Sequence, residues 1–204
     1  LALIGFVGMP YTVLLPVIAT GVLGGGSHTL GFLMGAVGLG ATCGALYLAS
    51  RRSVLGLGKL IPVAAATFGI SLVGLGLSTS LPLSLGLMLL TGVGFMLSLA
   101  SSNTLIQTLV RDDMRGRIMA LYAVAFTGLT PFGSLLAGAA AARIGAPLTV
   151  LAGGAICLLG ALAFRRKLPE FREKVRPIYV QKGILPAVAN GLGYAAAAEQ
   201  ETVP

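Results

Sequence analysis

Not one charged side chain occurs between Leu1 and Ser50, and none between Leu60 and Val110. These runs are fifty and fifty-one residues long. A charge in hydrocarbon is costly, and a bilayer core roughly 30 Å thick takes about 20 apolar helical residues to cross. Each run therefore has room for two spans and a turn. A soluble core helix is shorter and keeps a polar face. A mean hydropathy of +0.95 with 10% charged residues fits an all-α membrane protein. The apolar–polar alternation of a transmembrane barrel strand is not seen.

Interruptions in the apolar pattern predict a six-transmembrane-helix bundle over residues 1–164, followed by a basic, mostly disordered tail over 165–204. The first span covers Leu1 to Val22 and is interrupted by Pro10 and Pro16. The Gly24-Gly25-Gly26-Ser27 turn leads to the second, Leu30 to Ser50, and the third covers Leu60 to Ser78. A turn at Thr79-Ser80-Leu81-Pro82 precedes the fourth, Leu83 to Leu109. After the charged run Arg111 to Arg117 come the fifth, Ile118 to Ala142, and the sixth, Leu148 to Phe164. The chain starts at Leu inside an apolar run, without a recognisable signal peptide, and reads as a piece of a longer protein.

Thirteen of the 14 lysines and arginines fall on one side of this arrangement, and Arg143 alone on the other. The positive-inside rule then puts both ends of this multi-pass segment in the cytoplasm. The net charge of +8 is spread over short clusters between spans, so it argues for anionic lipid at a membrane edge and against nucleic acid as a partner. Cys43 and Cys157 stand alone within spans, as buried apolar residues do, with no CxxC or Cys/His cluster. Without a nucleophile–base pair, a metal cluster or a GxxxxGKS phosphate loop, the sequence predicts neither an enzyme nor an ATP-driven pump, and no cofactor.

The run Gly8-Met9-Pro10-Tyr11-Thr12-Val13-Leu14-Leu15-Pro16 resembles the seventh helix of a major facilitator superfamily transporter. More particularly it looks like the branch of transmembrane secretion effectors, which includes enterobactin-type siderophore exporters. Its most specific features here are Asn103-Thr104-Leu105-Ile106-Gln107, Asp112-Asp113-Met114-Arg115-Gly116-Arg117 and Gly133-Ser134-Leu135-Leu136-Ala137-Gly138. The resemblance covers Leu1 to Phe164. It implies helices seven to twelve of a twelve-helix transporter, a missing amino-terminal six-helix half, and a small-molecule substrate exported by alternating access. One departure stands out: the loop at Arg51 and Arg52 lacks the Asp of the superfamily's basic signature, so these arginines are assigned to topology. A membrane assembly or regulatory protein built on a transporter half is the alternative.

Candidate substrate-cavity residues follow from polar spacing and from the resemblance. On the fourth span Thr91, Phe95, Ser98 and Ser102 form one stripe, with Asn103 and Gln107 beside it. On the fifth, Thr127, Thr130 and Ser134 do the same, and Tyr11 lies in the motif of the first. An amide in lipid is costly, so Asn103 and Gln107 are expected to face protein or a cavity. Glue between helices and a substrate-facing wall both satisfy that requirement. Asp112 and Asp113, at the start of the fifth helix, are placed to cap it, with Arg115 and Arg117 as a topology signal. In the transporter reading the same four residues form a cytoplasmic gate. Pro10, Pro16 and Pro131 interrupt helices at membrane depth, and Gly31/Gly35 and Gly40/Gly44 are spaced for close packing within the bundle.

Overall fold

The computed structural model describes residues 1–51 and 56–181. Among them every regular element is helical, and six helices are long and apolar enough to cross a membrane. The spans are Ile4–Gly21, Ser27–Ser50, Leu57–Leu77, Leu81–Leu109, Arg115–Ile144 and Ala146–Phe171. The expectations for Arg52 and for a disordered stretch at residues 182–204 lie outside the described residues.

Contacts divide the chain into Leu1–Leu168 and Pro169–Pro204. The final helix, Ala146–Gln181, continues well beyond Phe164. Hydropathy reports where a helix leaves hydrocarbon and not where it ends. Arg165, Arg166 and Lys167 end the uncharged run, but they are good helix formers and the backbone carries on.

Apolar side chains gain little by leaving lipid for other apolar side chains, so membrane helices associate through close packing and a few polar contacts. Glycines supply that packing here. The second and fourth spans cross where a methyl group on Gly40 would overlap the Leu89 carbonyl, and one on Gly92 the Val37 carbonyl. Gly94 presses likewise on the third span at Ala64 and Phe68. The first span meets the fifth at Gly133 against Phe6, and the sixth at Gly153 against Val7. Between the third and sixth spans the contact is reciprocal. A Cβ on Gly69 would lie 2.8 Å from the Gly154 carbonyl oxygen, and one on Gly154 would lie 2.7 Å from that of Gly69.

The outcome is two interleaved triplets. The fourth span sits against the second and third, and the first sits against the fifth and sixth. Phe68 of the third span is fully buried at the meeting point, with Leu15, Ile18, Leu72 and Met88 around the same core. Most hydroxyls within the spans are satisfied locally: Thr20, Thr42, Thr67, Ser71 and Thr91 each donate to the carbonyl four residues earlier.

Candidate functional site

Two of the six spans are broken, the first near its start and the fifth at mid-length, and they are broken against each other. The first begins as a π-helical turn, Ile4–Gly8, in which the Met9 amide donates to the Ile4 carbonyl at 2.7 Å. Pro10 follows. Proline has no N–H for the Phe6 carbonyl and its ring crowds that oxygen, and a wide turn relieves the clash. The fifth span repeats the arrangement: helix Arg115–Ala123, π-helical Val124–Gly128, then helix Thr130–Ile144 with Pro131 in its first turn. Gly133 packs on the Phe6 carbonyl of the first break. A Cβ on Gly5 would come 2.6 Å from the Phe126 carbonyl oxygen of the second. That oxygen also accepts the Thr130 hydroxyl at 2.8 Å.

A row of rings passes through the crossing. Tyr11 meets Phe68 edge-on at 6.2 Å between centroids, Phe68 meets Phe95 at 6.2 Å, and Phe95 meets Phe126 at 5.9 Å. It joins the first, third, fourth and fifth spans at one level. One turn toward the basic end, the Tyr122 hydroxyl donates to the Leu99 carbonyl at 2.8 Å, a hydrogen bond from the fifth span to the fourth.

Two apolar hollows flank this frame. One, of about 240 Å³, lies between the first, fifth and sixth spans beside Tyr11, Gly133, Thr149 and Ile156. It is smaller than the roughly 300–1,000 Å³ typical of small-molecule sites. The other, about 400 Å³, is an open groove between the second and fourth spans at Gly31, Gly35, Leu85 and Gly86. Among the described residues no three His, Cys, Asp or Glu side chains gather as a metal site would require.

The sequence profile of the transmembrane secretion effectors matches residues 2–189. The chain belongs to that family of major facilitator transporters. No curated protein and no solved structure matches it significantly. The family match runs past Phe164, where the sequence resemblance stops, and takes in the whole of helix Ala146–Gln181.

The polar stripe of this secretion-effector chain divides in two. Thr91 and Ser98 are buried within the bundle, Thr91 donating to the Leu87 carbonyl and Ser98 making no hydrogen bond among the described residues. Phe95 is half-buried in the ring row. Asn103 is half-buried and Gln107 exposed, and the Gln107 amide donates to the Asn103 side-chain oxygen. Thr127 is exposed, whereas Thr130 is half-buried and occupied with Phe126. Tyr11 is buried at the edge of the smaller hollow.

At the basic end, Asp112–Met114 forms a 3-10 turn, and Met114 stands at the N-cap of the next helix without a side-chain cap. The N-cap position expected of Asp112 or Asp113 is therefore held by Met114. Asp113 instead pairs with Arg111 at 3.2 Å, and both side chains are well exposed. Arg115 and Arg117 are exposed in the first turn of the helix. Arg111 and Tyr122 were not singled out by spacing. A carboxylate two residues from an arginine was the available signal for the first, and Tyr122 one turn before Phe126 for the second.

Proposed function

We propose that this transporter chain is the carboxy-terminal six-helix half of a twelve-helix exporter that moves small amphipathic or largely apolar molecules by alternating access. The observation that carries this reading is its open face. In an apolar 18-residue stretch of each span, only 6% of the fifth and 22% of the second are buried, against 50% of the first. Lipid accepts exposed leucines, but exposed Thr127 and the amide pair Asn103–Gln107 fit better against water or a protein partner. A second six-helix half across the second and fifth spans would create a wet central cavity, with substrate held near its middle. The lining is uncharged, so it suits apolar or amphipathic molecules. A proton-coupling acid would then belong to the other half. The basic end would lie in the cytoplasm, in a bacterial inner membrane, with Asp112, Asp113, Arg115 and Arg117 at the inner gate.

The test is complementation. The chain alone in cell membranes is expected to insert without transport, and co-production with a matching amino-terminal half is expected to restore efflux of an amphipathic dye or a siderophore. Selective efflux by the 204-residue chain alone would replace the half-transporter reading with a homodimer. No efflux in the presence of the matching half, with both pieces inserted, would remove the exporter reading.

A further inference from the structure

The helix Arg115–Ala123 buries none of its residues, although the remainder of the fifth span is keyed to the first at Gly133. Among the contacts that tie this helix and the wide turn above it to the fourth span are two rungs. The upper rung is the Phe126 ring against Phe95, and the lower is the Tyr122 hydroxyl on the Leu99 carbonyl. Phe126 and Tyr122 are four residues apart, as are Phe95 and Leu99, so the rungs share one face of each helix. The lower rung adds a donor to a carbonyl already within a helix, using its second lone pair. It can therefore break without unravelling either helix. Above it lies the π-helical segment Val124–Gly128, and Pro131 leaves the Thr127 carbonyl without its usual amide partner.

We infer that Tyr122 is a positioning residue for the access change: its bond to Leu99 latches the basic-end half of the fifth span against the fourth, and Val124–Gly128 is the joint on which that half swings when the latch opens. The inference rests on the alternating-access reading and adds to it a moving part and a catch. The carbonyl serves as keeper because a backbone acceptor keeps its place while the phenol leaves.

The experiment uses the assembled transporter in membrane vesicles, with Cys43→Ser and Cys157→Ala as background. Met119→Cys reports on the latched helix, and Val17→Cys on the exposed opposite half of the first span. Tyr122→Phe removes the hydroxyl and keeps the ring. One hydrogen bond of ordinary strength then predicts about fivefold faster thiol labelling at position 119, with yield and thermal stability unchanged. Adding Pro131→Ala restores an amide donor to the joint and is expected to return labelling to the parental rate. Parental labelling in Tyr122→Phe alone overturns the latch. Lower stability without a labelling change makes Tyr122 structural and overturns it equally. Failure of Pro131→Ala to reverse the effect overturns the joint. In alternating access, labelling at position 17 falls as that at 119 rises. A rise at 119 with no change at 17 keeps the latch and discards alternating access.

Discussion

Gly31/Gly35 and Gly40/Gly44 read alike in the sequence, yet only the second pair is used for packing. Gly40 lies on the Leu89 backbone and Gly44 near the Val93 carbonyl, whereas nothing approaches a Cβ on Gly31 or Gly35 within 4 Å. Gly40→Val is therefore expected to destabilise the bundle by about 1–3 kcal/mol through overpacking, and Gly31→Val to leave it unchanged. Thermal aggregation of detergent-solubilised protein measures both, and equal losses would mean that the second span is docked elsewhere. The same ambiguity explains how the polar stripe was only half legible. Its period along the fourth span is visible, but lipid and core are both apolar. Nothing in the sequence says that Thr91 and Ser98 turn inward while Gln107 turns out.

At the scale of elements, span number and approximate ends were legible because they depend on hydropathy and loop charge alone. Pro10 and Pro131 marked the breaks as well: each lies within three residues of the end of a π-helical segment, after Gly8 and Gly128. Pro16 marked none, since helix Tyr11–Gly21 runs through it. The difference is tertiary. Each wide turn is stabilised by the other span lying against it, at Gly133 on Phe6 and Gly5 near Phe126, and no local pattern encodes that crossing. The halves of the fifth span should consequently differ in stability. Backbone amides of Arg115–Ala123 bury no residue beneath them and are expected to exchange with deuterium at least about tenfold faster than those in the middle of Leu81–Leu109. Hydrogen-exchange mass spectrometry in nanodiscs resolves the two segments, and equal protection would show that the helix is firmly docked.

For the molecule as a whole, the charge asymmetry makes a sharp statement about direction. In a cysteine-free background, Lys59→Cys and Asp113→Cys are expected to react only from the cytoplasmic face of the membrane, and Ser27→Cys only from the opposite face. Reaction of positions 27 and 59 from one side would dismantle the six-span arrangement. Family and span count were readable because both are carried by local motifs and composition. The interleaving was not, since apolar helices of similar length give no sign of which neighbours they choose. That interleaving has a consequence for synthesis. The fourth span finds its partners, the second and third, already in the bilayer when it emerges. The first, with Gly8 shaped to lie beside Cys157 and Val7 beside Gly153, waits for the last span to leave the ribosome. Throughout translation its glycine-lined flank is an unfinished joint, open to insertase, chaperone or membrane protease, and a nascent chain stalled before the sixth span would be recognisable by that flank alone.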